Sequence, residues 1–233
     1  MARRRVSAKR AVIGTVFVVA VWGFVAYLAA PFFWSEIERG RPPQPMLTTT
    51  PLGIPGDPIN FGLAGAEAEV VAAFHAIGWR PADAITLKSA LAIGLSVLLD
   101  RPYPDAPVSN LVYEGERQDL AFEKEDGGSA GRRHHARLWK VEGDGAQERP
   151  LWLGAVSYDR DAGLSHDTLQ ITHHIAPDLD AERDALIGGF EAAGLLESSY
   201  SIDGVGPTQD GRNGGGDRYF TDGKATVGVL RVR

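Results

Sequence analysis

Five of the six histidines in this chain fall in two short stretches, "RRHHARLWK" (Arg132 to Lys140) and "LSHDTLQITHHI" (Leu164 to Ile175). Imidazole changes charge near neutral pH, so this crowding puts proton donors, proton acceptors and metal-binding nitrogens close together. In an extended chain, alternate side chains share a face. One face of the first stretch then carries Arg133, His135, Arg137 and Trp139, and the other carries His134, Ala136 and Leu138. In the second stretch, His166, Thr168, Gln170, Thr172 and His174 share a polar face, opposite Leu169, Ile171, His173 and Ile175. Each pair of adjacent histidines is thus split between a polar face and an apolar one.

Spacing limits what these groups can do together. His166 and His174 would lie roughly 26 Å apart on a continuous strand, too far to hold one metal unless the strand breaks. An antiparallel meander of Arg133 to Val141, Leu151 to Tyr158 and Leu164 to Ile175 would carry His135 toward the His166 end. Its outer strands would be about 9.6 Å apart, so imidazoles can converge over a small central residue, Ala155 or Ser157. Arg133 and Arg137 add forked donors suited to phosphate or carboxylate. The chemistry expected of this face is anion binding by Arg133, Arg137, Thr168, Gln170, Thr172 and His174. His135 and His166 would serve as acid and base if a reaction follows. No metal and no cofactor is expected, because adjacent arginines repel cations and no carboxylate shares the face.

A second candidate is the glycine-rich run "GRNGGGDRY" (Gly211 to Tyr219), where backbone N–H groups can form an anion nest beside Arg212, Asn213 and Asp217. The neighbours Ser165 and His166 do not make a nucleophile and its base, since adjacent strand residues point to opposite faces and no G-x-S-x-G turn surrounds them. His75, beside an apolar helical stripe, reads as an ordinary surface or boundary histidine.

The elements that must position these groups follow from periodicity. Val70, Val71, Phe74 and Ile77 form one helical face over Glu67 to Ile77, ended by Gly78, and Leu87, Leu91, Leu95 and Leu98 form a second stripe. From Leu111 the period becomes two. It predicts strands at Leu111 to Glu114, Asp119 to Lys124, Arg133 to Val141, Leu151 to Tyr158 and Leu169 to Ile175, with Asp159 to Gly163 as a loop. A helix over Asp180 to Ala193 follows, with Asp178 or Asp180 near its cap and Gly194 as its stop. A strand at Ser199 to Ile202 and a hairpin turning at Asp222-Gly223 close the chain. The fold expected is α+β, a mainly antiparallel sheet with helices packed on one face, preceded by one transmembrane helix.

The N-terminus sets the location. Residues 1–10 carry five Lys/Arg and no acid, and Ala11 to Trp34 runs 24 residues without a charge. That length suits a membrane-spanning helix with a cytoplasmic basic head and an aromatic belt at Phe32 to Trp34. A cleaved signal peptide is the alternative, against which stand the long apolar run and the lack of an A-x-A site. Residues 35–56 carry most of a proline-rich stretch that reads as a tether, which leaves 57–233 as an extracytoplasmic domain. Removing the five basic-head charges takes the net charge from −6 to −11, so nucleic acid is not an expected partner of that domain. The chain has no cysteine, which excludes disulfides, thiolate metal sites and cysteine nucleophiles.

Taken in order, "GDPIN", "AIGWRPADAITLKSAL", "LDRPYPDAPVSNL", "RQDLAFEK", "RRHHARLW", "GAVSYDRDAGLSHDTLQITHHI", "DLDAERD" and "GRNGGGDRYFTDGK" resemble the LssY C-terminal domain family, over about Gly56 to Leu230. In longer members the domain is similar to a module appended to multi-pass membrane domains of the DedA or phosphatidic-acid-phosphatase type. The resemblance implies an envelope setting and a link to lipid-phosphate metabolism. It does not imply the phosphatase activity of those multi-pass domains, which this chain lacks. The leading expectation is a membrane-anchored extracytoplasmic module that binds a phosphorylated or otherwise anionic envelope ligand, such as a phosphorylated lipid or headgroup, on the His/Arg face. Its rivals are a hydrolase or phosphoesterase using that face, with or without a metal, and a structural docking module for a multi-pass membrane protein.

Overall fold

The uncharged N-terminal run forms one helix, α1 (Ala8–Arg39), long and apolar enough to cross a membrane. It widens to a π-helical turn at Val25–Ala29, where Ala30 N–H bonds Val25 O. Pro31 follows directly; its ring crowds the carbonyl four residues back and its missing N–H removes the ordinary bond there. The computed structural model describes residues 8–42, 44–82, 109–127 and 132–232. The expected Leu87 to Leu98 stripe lies outside the described residues.

The proline-rich stretch is not a free tether. It contains β1 (Leu47–Thr49) and β2 (Pro55–Pro58), which pair with each other, and β1 continues to β5 (Val112–Tyr113) and β6 (Glu116–Arg117). Together they form a small sheet in the order β2-β1-β5-β6. The prolines are tolerated because this sheet is short and each strand contributes few ladder bonds.

The main sheet is built from β3 (Phe61–Ala64), β4 (Arg80–Pro81), β7 (Leu120–Glu125), β8 (Arg133–Asp144), β9 (Pro150–Leu164), β10 (Ile171–Ile175), β11 (Leu196–Asp203) and β14 (Lys224–Leu230). Their order is β11-β14-β3-β9-β8-β7-β4, with β10 also beside β9. Every pairing among them is antiparallel except β14 with β3. Asp159 lies opposite both Arg133 and Ile175, so β10 occupies the edge of β9 that β3 also uses, further along the strand. Between the two, the Asn60 side chain substitutes for a strand: its Oδ1 accepts from Val156 N–H and its Nδ2 donates to Val156 O, both at 2.9 Å.

Helices α2 (Glu67–Ala76) and α3 (Leu179–Ala192) cover one face of this sheet. Glu69 accepts the Ala66 N–H at the start of α2, and Asp178 accepts the Ala181 N–H at the start of α3. Phe74 of α2 stacks on Phe122 at 4.1 Å and meets Phe190 of α3 edge-on at 5.2 Å, which centres the larger core. The opposite face carries a smaller core of Ile59, Leu111, Tyr113, Trp139, Leu153 and Ala155 beneath the small sheet.

The expected C-terminal hairpin does not form. β13 (Arg218–Thr221) pairs with β12 (Thr208–Arg212), whereas β14 inserts between β11 and β3. The Asp222-Gly223 turn is instead held by α3: Asp180 accepts from Asp222 N–H and Thr221 Oγ1, and Arg183 pairs with Asp222.

Candidate functional site

Strand pairing turns the alternation of β8 into a row of charges. His135 lies between Glu123 of β7 and Ser157 of β9, and Arg133 lies opposite Asp159. Further along the same face Arg137 meets Ala155 and Trp139 meets Leu153, so the surface grades from charged to apolar. Asp57 of β2 descends on the charged end from the small sheet. The row is buried: Glu123, Arg133, His135, Arg137, Ser157, Asp159 and Asp57 are each under 9% exposed.

Burial forces these groups to satisfy one another. Arg133 pairs with Glu123 at 2.9 Å and Asp159 at 3.2 Å, and Arg137 donates to Asp57 at 3.3 Å and to Ser109 O at 2.9 Å. Asp57 Oδ2 accepts from Ser157 Oγ at 3.2 Å, and the same hydroxyl lies 2.8 Å from His135 Nε2. A carboxylate only accepts, so the Ser157 proton points to Asp57 and His135 Nε2 is the donor. His135 Nδ1 lies 3.2 Å from Asp159 in an ion-pair contact without a well-aligned hydrogen bond. Burial is the largest influence and disfavours the imidazolium, but the Asp159 and Asp57 carboxylates together outweigh it and raise the His135 pKa above its ordinary 6.5. Burial also works against the carboxylates, yet the nearby His135 and Arg137 lower Asp57, and the charge of His135 holds Asp159 well below the usual range.

Ser157, His135 and Asp159 thus have the order of a nucleophile, base and orienting acid. Ser157, however, has no exposed surface and does not line the cavity that opens over this row. The three form an electrostatic scaffold rather than an acyl-transfer centre.

A cavity of about 410 Å³ opens over this row. Its polar wall includes Arg133, His135, Arg137, Thr168, Gln170, Thr172 and Asn213 together with Asp57 and Asp159; its apolar wall includes Leu52, Ile54 and Pro31 of α1. Arg137 Nη2 makes no hydrogen bond among the described residues.

The second histidine stretch departs from the extended reading. β9 runs through the expected loop to Leu164, the chain turns over Ser165 to Gln170, and β10 starts at Ile171. Ser165 Oγ accepts the Asp167 and Thr168 N–H groups, and Leu169 takes a left-handed φ of 61°. His166 and His174 are therefore neighbours, their ring centres 5.0 Å apart. His174 Nδ1 lies 2.7 Å and His166 Nε2 3.5 Å from Asp217 Oδ1.

These placements redistribute the expected site. His135 and His166 line different cavities, so they do not form one acid–base pair. Arg133 and Arg137 are already paired with carboxylates. Thr168, Gln170 and Thr172 join them at the first cavity, while His174 turns to Asp217. The glycine-rich run is no open nest: Gly215 and Asp217 N–H bond Asn213 Oδ1, and Gly216 N–H bonds Asn213 O. Asn213 also reaches Asp57 at 3.3 Å, and Arg212 caps Gly216 O at 3.1 Å. Sequence reasoning missed Asp57, Glu123 and Asp159, and it assigned His173 to the core face; His173 Nδ1 lies 3.9 Å from Asp159. Alternation from Ser157 to Asp159, and from Phe122 to Glu123, carried the signal for two of them.

The turn also leans on α1. Trp22 Nε1 donates to Leu169 O at 3.2 Å, Trp34 Nε1 to Asp167 O at 3.0 Å, and Ile171 N–H to Tyr27 Oη at 3.4 Å. Leu164, Leu169 and Ile171 are 49%, 45% and 58% exposed, an apolar rim beside an apolar helix.

A family model described as LssY C-terminus matches residues 41–225. No curated protein and no solved structure matches the chain.

Proposed function

The chain belongs to the LssY C-terminus family, and from that premise we propose that it is a membrane-anchored extracytoplasmic module that holds the anionic, phosphorylated headgroup of an envelope lipid in the cavity over β8 and β9. The observation that carries this reading is the graded wall of that cavity, with Arg137 and His135 at one end and Leu52, Ile54 and Pro31 at the other. Such a gradient suits a ligand with a charged head and an apolar tail. Arg137 Nη2, Gln170, Thr168 and Thr172 supply hydrogen bonds to phosphate oxygens, and Arg133, locked between Glu123 and Asp159, sets the field.

The position of α1 supports a lipid as the source of that headgroup. Its contacts with the turn run from Trp22 to Trp34, about 18 Å along a helix. With α1 in a bilayer and its basic head on the cytoplasmic side, these contacts fall in the outer half of the span, and the rim of Leu164, Leu169 and Ile171 meets the apolar layer there. The ligand then reaches the cavity without crossing water.

The test uses the full chain in detergent micelles, with dioctanoyl phosphatidic acid, glycerol phosphate and inorganic phosphate as probes. The short-chain lipid is expected to bind at least tenfold more tightly than glycerol phosphate. Arg137→Ala should weaken it at least tenfold, and Gln170→Ala, which touches no ion pair, severalfold. Equal affinity for lipid and free phosphate removes the lipid from the proposal. Binding unchanged in both variants discards the cavity.

A further inference from the structure

The turn at Ser165 to Gln170 creates a juxtaposition that an unbroken strand forbids. The geometry points to a binding site for one divalent cation of the zinc class, held by His166 Nε2, His174 Nδ1 and Asp217 Oδ1, separate from the headgroup cavity. One nitrogen of each histidine and one oxygen of Asp217 lie within 4.8 Å of one another. Two imidazole nitrogens and one carboxylate oxygen are a donor set that borderline divalent ions favour. Tetrahedral coordination at about 2.0 Å separates ligand atoms by about 3.3 Å. The present 3.5 Å and 2.7 Å separations from Asp217 Oδ1 need adjustments of only a few tenths of an ångström.

The surroundings are arranged as an outer shell. Asp217 is 3% exposed, and its other oxygen, Oδ2, accepts the Ile175 N–H at 3.2 Å, which leaves Oδ1 to the histidines. Asn213 Oδ1 accepts the Asp217 N–H, which fixes the backbone that carries the carboxylate. The turn is stapled to the same loop through His166 N–H to Gly215 O at 2.9 Å and Ser165 Oγ to Gly215 O at 3.1 Å.

Core packing does not account for this arrangement. The His166 side chain is 59% exposed, so holding it over a buried carboxylate gains little burial. A metal needs that position, and the exposed side of His166 leaves a coordination site open to solvent. The expectation that arginines exclude a cation applies to Arg133 and Arg137, which face the other cavity. Three arginines line the cavity beside His166 and Asp217: Arg212 donates to Gly216 O, Arg218 pairs with Asp210, and Arg160 stands at the same wall.

Cobalt(II) is the probe, because nitrogen and oxygen ligation gives it a visible d–d spectrum. The full chain, without an affinity tag and stripped with chelator in micelles, should bind one equivalent saturably. His166→Ala and His174→Ala should each weaken binding at least tenfold, while His75→Ala, on the exposed side of α2, should leave it unchanged. His166 is exposed, so its loss does not endanger the fold. Absence of saturable binding overturns the inference, as does cobalt affinity that survives His166→Ala or falls equally in His75→Ala. None of these results depends on the phospholipid measurements.

Discussion

His135 is 4% exposed, its two nitrogens facing Ser157 and Asp159, whereas the His166 side chain is 59% exposed and faces Asp217 alone on its polar side. Both belong to clusters of histidine and carboxylate, yet burial gives them different work. In the buried row each charge is held by its neighbours, because an unpaired ion there costs several kcal/mol. In the other cluster water reaches the His166 ring, so that imidazole remains available to a ligand. Composition alone does not distinguish these cases; the depth of the strand face does.

The contrast is broken most directly at Asp159. Asp159→Ala removes the carboxylate that faces Arg133, His135 and His173. It should lower unfolding free energy by about 3–5 kcal/mol, because it leaves buried positive charge uncompensated. Denaturant unfolding of the full chain in micelles measures this; a loss under about 1 kcal/mol would mean that water reaches the row. Asn60→Ala should cost somewhat less, about 2–3 kcal/mol by the same measurement, since it orphans the Val156 N–H and C=O, on a residue 1% exposed.

The helix-covered sheet was legible because apolar residues recur at period two or along a helical stripe, as in Phe122, Ala136 and Leu138. The side of β8 on which Arg133, His135 and Arg137 lie followed from the same alternation. What covers that side did not, because Asp57 arrives from a proline-rich segment whose strands are three and four residues long, too short for periodicity to register. The break at Ser165 was equally hidden: Leu169 adopts a left-handed φ without being glycine, and the turn rests on Ser165 hydroxyl bonds and on contacts with α1 133 or more residues away. The pairing of His166 with His174 depends on that break.

A pH profile sharpens the comparison with a smaller effect. The folded pKa of His135 is raised above 6.5, so its contribution to stability is full below pH 6.5 and is lost as pH rises through the folded value. Asp57 and Asp159 are lowered from 3.8, so their contributions are present above pH 3.8 and are lost as pH falls through their folded values. Unfolding midpoints should therefore be highest between these limits and decline on either side. His135→Gln should remove the part of the alkaline decline that begins near pH 6.5, whereas His166→Ala should leave it in place.

The smallest expected effect lies at His166. Its ring makes no hydrogen bond among the described residues, and its nearest acidic contact is 3.5 Å away, so His166→Ala should change unfolding free energy by no more than about 0.5 kcal/mol. His174→Ala should cost more, about 1 kcal/mol, because it removes a 2.7 Å partner from a buried carboxylate. Measured without metal, the two variants thus differ in stability although both are expected to lose cobalt. If His166→Ala were as destabilising as Asp159→Ala, the turn would be structural like the row over β8, and the difference between the clusters would be one of position alone.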